Sequence, residues 1–311
     1  MKKIILFVFF FLTILKATAQ QDPHFTQYMT NMSAVNPAYA TATTSILNLG
    51  SLYRYQWSGI KGAPKTVTLF AHTPINEKVE GGFSLISDDI GDGAKKETNF
   101  FADFAYVLQL NEEQKLSFGL KAGFTSINTN FNGFRLNSGN ISTDDAFAQN
   151  INETVPNIGV GAYYFTDNYY VGISAPNLLS AEHIKSRATI NSFGPQEIHT
   201  YFTGGYVFDI NEEFKFKPAF MAIFVKGAPV SVDLTANVLY NEKFELGAAY
   251  RFDDSVSILM NVNVTPSLRI GYSYDYTTSN LSQFNSGSHE IVLLYNFDLL
   301  GKGYDKSPRF F

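Results

Sequence analysis

The chain has 311 residues, a formal net charge of −5, 16% charged and 15% aromatic residues, and no cysteine. This balance excludes a strongly basic nucleic-acid binder, and the lack of cysteine excludes a lipid-anchored lipoprotein, a disulfide framework and thiolate metal sites. Phe and Tyr at 29 and 18 residues, with so little charge, suit a surface that meets lipid at aromatic girdles.

Residues 1–19 have the form of a secretory signal peptide. Lys2 and Lys3 supply the positive start, Ile4 to Leu15 the apolar run, and Ala17-Thr18-Ala19 a small-x-small cleavage site, so Gln20 is expected to begin the mature chain. Residues 20–44 alternate poorly and carry Pro23 and Pro37. Their aromatics (Phe25, Tyr28, Tyr39) and Met29 and Met32 make them too apolar for a disordered tail. This segment is expected either to plug a lumen or to dock on periplasmic partners.

From residue 45 the dominant period is two. In Lys115 to Ser126, Leu116, Phe118, Leu120, Ala122 and Phe124 oppose Ser117, Gly119, Lys121, Gly123 and Thr125. The same split recurs over Val230 to Tyr240 and over Leu268 to Tyr276. It marks strands with one apolar and one wet face. Turn-forming residues fill Pro74 to Lys78, Asn111 to Gln114, Thr166 to Asn168, Asn211 to Glu213, Asn241-Glu242 and Thr265-Pro266. The intervening connections are uneven, the longest running over Ile127 to Val155 and Pro176 to Ile198. Short turns at one end and long loops at the other is the asymmetry of an outer-membrane barrel, with the short turns periplasmic.

The expected architecture is therefore all-β: a transmembrane antiparallel β-barrel of about 14 strands. The strands start near residues 45, 64, 79, 97, 115, 156, 169, 199, 214, 230, 243, 256, 267 and 289. A soluble β-sandwich also alternates. Against it stand the Phe- and Tyr-rich apolar faces of nearly every strand, and opposite faces that carry Asp103, Lys121, Asp233, Glu245, Arg251 and Arg269. Such charges need water or partners inside a lumen. The chain divides into a signal peptide (1–19), an N-terminal segment (20–44), a barrel (45–298) and a periplasmic C-terminal tail (299–311).

Enzyme chemistry finds little footing. His24, His72, His183, His199 and His289 show no metal-ligand spacing, and no phosphate-binding Gly loop is evident. No catalytic, cofactor-binding or metal residue is assigned. Asp88 to Gly93 has carboxylates and glycines but lacks the later Glu of a calcium loop, so turn chemistry accounts for it. His289 and Glu290 open a strand at the outer rim, where rim hydrogen bonding is the simplest role. Trp57, beside Arg54 and Gln56, suits either a partner contact or an interfacial anchor. The tail Pro308-Arg309-Phe310-Phe311 follows the last alternating run and suits docking, since two terminal Phe residues are costly to leave in water.

Several motifs, in order, resemble the PorP/SprF family of the type IX secretion system. They include Gln21-Asp22-Pro23-His24-Phe25 with Gln27-Tyr28, Asn36-Pro37-Ala38-Tyr39, and Arg54-x-Gln56-Trp57 with Ala63-Pro64-Lys65-Thr66. Pro156 to Tyr164 with Tyr170 to Asn177, His289-Glu290-Ile291 and Ser307 to Phe311 follow. The sequence departs from the family at Ala40, where Gly is usual, and at Tyr55, where Asn is commoner. The resemblance implies a non-enzymatic component in the outer membrane of a Gram-negative bacterium. It would dock, export or anchor specific surface-secreted proteins, such as a gliding adhesin, through their C-terminal domain. Implied partners are that secreted protein, periplasmic or lipoprotein parts of the secretion machine, and membrane lipid, with no cofactor and no nucleic acid. Candidate partner or plug residues are Asp22, Pro23, Phe25, Gln27, Tyr28, Asn36, Pro37, Tyr39, Arg54, Trp57, Pro308, Arg309, Phe310 and Phe311. The alternative is an outer-membrane channel for small or hydrophobic solutes.

Overall fold

The computed structural model describes residues 23–41, 46–131, 150, 152–179, 197–299 and 301. The signal peptide, Asp22, the tail residues Pro308 to Phe311 and most of the two longest loops lie outside the described residues.

Fifteen strand segments form one sheet: β1 (Ile46–Tyr55), β2 (Lys65–Asn76), β3 (Val79–Ile90), β4 (Lys95–Gln109), β5 (Lys115–Thr129), β6 (Asn152–Phe165), β7 (Tyr169–Ala175), β8 (His199–Tyr206), β9 (Phe208–Asp209), β10 (Phe214–Val225), β11 (Ser231–Tyr240), β12 (Phe244–Arg251), β13 (Ser255–Asn263), β14 (Leu268–Thr277) and β15 (Ser288–Asp298). β8 and β9 are two pieces of one stave. They are interrupted at Val207, whose side chain turns inward onto Leu239. The barrel therefore has fourteen staves, each antiparallel to its neighbours. β1 pairs with β15 from Ile46↔Asp298 to Tyr55↔His289, which closes the cylinder. Closure gives every stave a hydrogen-bonded neighbour on both sides, so no stave presents a free edge along its whole length.

The expected strand starts fall within four residues of the observed ones, and β6 is the furthest off, beginning at Asn152 rather than near 156. All six short turns gather at one end of the barrel. The connections at the other end are more uneven than expected: β12 and β13 are separated only by residues 252–254 there. Among the described residues no helix is long and apolar enough to cross a membrane.

The period-two split governs which side chain meets which solvent. On β5, Phe118 and Leu120 point outward at 50% and 62% exposure, while Ser117 and Lys121 on either side of them are enclosed. Outward positions elsewhere are similarly apolar, including Leu69, Phe104, Ile173, Leu234, Leu246, Ile258 and Ile291. Inward positions carry Asp103, Asp233, Glu245, Arg251, Asp275 and Glu290, all buried. A soluble sandwich buries its apolar face; this barrel shows it, as a lipid-facing wall does. A wall with its charge turned inward cannot pack dry against itself.

Candidate functional site

What meets the inward charges is the chain's own N-terminal segment. Residues 23–41 form a 3-10 turn (Tyr28–Asn31) and a single α-turn (Met32–Val35). The α-turn stops because Asn36 precedes Pro37, and a residue before proline is pushed out of the α region. Asn36 accordingly adopts φ −132°, ψ 113°. Its side-chain oxygen accepts the Ala38 N–H at 2.9 Å, which fixes the turn locally.

The segment runs the length of the lumen. Its last residues lie at the short-turn end. There Glu80, at the start of β3, accepts the Thr41 N–H at 2.9 and 3.0 Å and also pairs with His72 at 3.3 Å. The Tyr39 ring lies 5.5 Å from the His72 ring and 5.7 Å from Tyr163. Midway, Ser174 Oγ donates to the Val35 carbonyl at 2.8 Å, Lys121 Nζ to the Ala34 carbonyl at 3.4 Å, and Asn36 Nδ2 to the Ala162 carbonyl at 3.2 Å. Lys121 is itself neutralised by Asp103 at 3.2 Å.

At the long-loop end a buried charge cluster holds the front of the segment. Arg54 Nη1 bridges Asp275 at 2.8 Å and Glu290 at 2.5 Å, with all three side chains at most 3% exposed. Glu290 accepts the Thr26 N–H at 2.7 Å and the Gln27 N–H at 2.9 Å, while Thr26 Oγ1 donates to Asp275 at 2.7 Å. Strand register makes this possible: Arg54 stands opposite Glu290 across the closing pair, and Glu290 opposite Ser273 on β14. Burial, reinforced by the guanidiniums of Arg251 and Arg54 and by His199, holds the His24 imidazole well below its usual pKa, so it is neutral at pH 7. Beside this cluster, Arg251 grips Asp233 with two bonds of 2.8 and 2.9 Å; toward the short-turn end, Glu245 is held by Arg269, Asn237 and Asn261.

Glycine gives the wall its fit to the segment. A Cβ on Gly119 would overlap the Pro37–Ala38 backbone, one on Gly161 would strike the Asn36 side-chain oxygen, and one on Gly172 would come within 2.8 Å of Asn36 Nδ2. The Asn36-Pro37 corner thus sits in a seat built from three glycines on β5, β6 and β7. An apolar cluster completes the packing: Phe25, Tyr28, Met32, Val35 and Ala38 against Leu52, Val107, Tyr163, Tyr170, Tyr201, Met221 and Val292.

Of the residues singled out in the sequence, Pro23, Phe25, Gln27, Tyr28, Asn36, Pro37, Tyr39 and Arg54 meet in this lumen. Trp57 does not join them. It sits in the loop after β1 with left-handed backbone (φ 52°), and its N–H donates to Ser288 Oγ at 3.0 Å. Glu290 is not a rim residue: it is wholly enclosed and is the main acceptor for the front of the segment. Its phase relative to outward Ile291 and Leu293 was the available signal. Glu80 and the three seat glycines were not singled out as site residues, because nothing in their neighbourhood marks which inward positions face a chain rather than water.

A closed fourteen-stave barrel with an apolar outer face and charged lumen defines a transmembrane β-barrel of the outer-membrane kind. The chain belongs to the PorP/SprF family, described as type IX secretion system membrane proteins, whose model matches residues 17–295. No curated protein matches it significantly. Among solved structures it is similar to a FadL homologue of Pseudomonas aeruginosa, at 12% identity over 91% of this chain and 96% of that one, with a TM-score of 0.51. It is also similar to the outer membrane protein Omp33 of Acinetobacter baumannii, at 9% identity over 83% of this chain and 100% of that one, TM-score 0.46. The toluene transporter TodX of Pseudomonas putida matches at 12% identity over 86% of this chain and 92% of that one, TM-score 0.47. The first likeness supports the barrel fold.

Proposed function

We propose that this protein is a non-enzymatic outer-membrane component of type IX secretion, exported by its residues 1–19, that docks, exports or anchors particular surface-secreted proteins by their C-terminal domain. Residues 20–44 close the lumen in this reading, and periplasmic or lipoprotein parts of the machine are further partners. The observation that carries it, beside family membership, is that several of the lumen's charged side chains hold a polypeptide by its main chain. Glu290 and Glu80 take main-chain N–H groups, and Lys121 takes a main-chain carbonyl. The alternative, a channel for small or hydrophobic solutes, is favoured by one feature: a small cavity of about 50 Å³ beside Pro23 and Phe25, walled by Phe101, Tyr201 and Met221.

Two measurements separate the readings. Tagged protein is purified from outer membranes in mild detergent and its companions are identified by mass spectrometry. A large secreted protein or type IX machinery parts are expected. A clean monomer that conducts ions in a planar bilayer with the segment intact would overturn the docking reading. Deleting residues 23–41 is expected to raise conductance and to stop cargo export; unchanged conductance would overturn the closure.

A further inference from the structure

The two halves of the lumen segment are held by different physics. The rear half, Asn36 to Thr41, is fitted by shape. Its corner occupies the seat of Gly119, Gly161 and Gly172, and its far end is tied to Glu80 at the rim where the chain leads on into β1. Among the described residues no polar side-chain atom of this half is buried without a partner.

The front half, Pro23 to Asn31, contrasts on three counts. Its polar anchorage to the wall is one charge cluster, Glu290 and Asp275 with Arg54, and a single neutral bond between Tyr28 and the Thr235 hydroxyl. Gln27 Nε2 and both amide atoms of Asn31 are buried with no hydrogen-bond partner, and the inward Asn261 side-chain oxygen on β13 is equally unserved. Such atoms either carry a free-energy penalty or hold water, and both make this seam easier to part than the glycine seat. Finally, the cavity adjoins this half: Pro23, Phe25 and Tyr28 line it, and none of residues 36–41 does.

Topology sets the direction. Thr41 lies at the short-turn rim beside Glu80, while His24 lies level with Arg251 and His199, at the long-loop ends of β12 and β8. The anchored half is therefore the inner one, and the weakly held half lies toward the outer mouth.

We propose that residues 23–31 form an outward-swinging gate, hinged at Met32–Val35 on a fixed anchor of residues 36–41 and latched by the Arg54–Asp275–Glu290 cluster. This rests on the reading that the segment closes the lumen. Opening carries Thr26 and Gln27 away from Glu290 toward the cavity and the outer mouth, clearing the polar wall of β11 to β15. The Asn36-Pro37 corner stays in its seat. The gate thus opens half the lumen without the chain leaving the barrel.

The chain has no cysteine, so single cysteines report without background. Asn31→Cys marks the gate and Ala40→Cys the anchor; neither side chain belongs to the latch. Each is labelled with a membrane-impermeant maleimide in proteoliposomes, in the parent and in Glu290→Gln. Asn31→Cys is expected to label at least tenfold faster once Glu290 is neutralised, with Ala40→Cys slow in both. Equal acceleration at both positions would mean that the segment leaves as one piece, and would overturn the hinge. No acceleration at Asn31→Cys would overturn the latch. Ala38→Cys replaces Ala40→Cys if the latter does not fold, judged by heat-modifiable migration on gels. The conductance of the 23–41 deletion tests closure itself, so failure of the gate and failure of the plug give different results.

Discussion

Gly119→Ala should unseat the lumen segment while leaving the barrel intact. The new Cβ would overlap the Pro37 carbonyl carbon and the Ala38 nitrogen, and both are backbone atoms that cannot rotate aside. Restoring van der Waals contact requires the corner to retreat by roughly an ångström, in a close-packed interior that transmits such shifts. That retreat breaks two bonds near the corner: Asn36 Nδ2 to the Ala162 carbonyl, already 3.2 Å long, and Ser174 Oγ to the Val35 carbonyl at 2.8 Å. Overpacking costs about 1–3 kcal/mol, and each polar group left buried without a partner costs a similar amount. The combined cost is roughly 3–9 kcal/mol, lowering the ratio of seated to displaced segment by about two to six powers of ten. The strand itself should not suffer, because alanine is favoured over glycine in a strand interior by about 0.5–1 kcal/mol. The assay is maleimide labelling of Ala40→Cys, with Gly81→Ala as control. A Cβ at Gly81 meets only the tip of the Ile75 side chain at 3.2 Å and no atom of the segment. Fast labelling in Gly119→Ala, slow labelling in Gly81→Ala, and unchanged heat-modifiability in both are expected. Parent-like protection of Ala40→Cys in Gly119→Ala would refute the glycine seat.

Glu80→Ala leaves the Thr41 N–H without its carboxylate and should accelerate Ala40→Cys labelling by about one to two powers of ten, given about 1.5–3 kcal/mol for a bond to a charged group; Asn31→Cys should stay protected by the separate outer latch. Seating should also weaken in acid. His24 has a depressed pKa when seated, so below its ordinary value of 6.5 the displaced segment takes up a proton that the seated one refuses; this contribution is complete above 6.5 and falls as pH drops. Asn31→Cys labelling, expressed relative to the same variant unfolded at each pH so that the falling thiolate fraction cancels, is expected to quicken between pH 7.5 and 5.5, and His24→Gln should flatten the dependence; an unchanged slope in His24→Gln would remove His24 from the account.

Alternation made the wall readable in advance. Lys121 lies inward because Leu120 and Ala122 flank it, and the same phase places Asp233, Glu245, Arg251 and Arg269 in the lumen. Turn residues located all six short connections, as at Asn241, whose side chain tolerates the left-handed backbone observed there. The start of β6 was missed because proline argues against a strand interior. Pro156 nevertheless pairs with Phe124 of β5. On its other side β7 ends its pairing at Val160↔Ala175, so Pro156 lies in an edge stretch where a missing donor is tolerated. The site was less legible. Arg54 and Glu290 are 236 residues apart and meet only through closure of the first stave on the last. A sequence reader can assign each an inward phase but not the register that joins them. The seat glycines read as curvature or spare room, and only the path of Asn36-Pro37 gives them a common purpose.

The way the wall holds its guest bears on what the barrel handles. A site for a small solute places its polar groups around that solute's own functional groups. Here Glu290 and Glu80 accept main-chain N–H groups, and Ser174 and Lys121 donate to main-chain carbonyls. Such contacts are nearly indifferent to side-chain identity, so they recognise polypeptide as a class. Register then comes from the places where side chains matter: Thr26 Oγ1 bonds to Asp275, Asn36 bonds to the wall, and Pro37 fills the space that the glycines leave. A lumen that reads backbone along its length and sequence at a few seats suits a protein whose business is other polypeptides. It also explains why so much charge is kept where burial is expensive. Each carboxylate has a cation or a backbone donor to offset its desolvation, and the segment supplies several of those donors. Removing the segment would therefore leave Glu290 and Glu80 short of partners, and an emptied lumen would have to fill with water or with another chain offering the same groups.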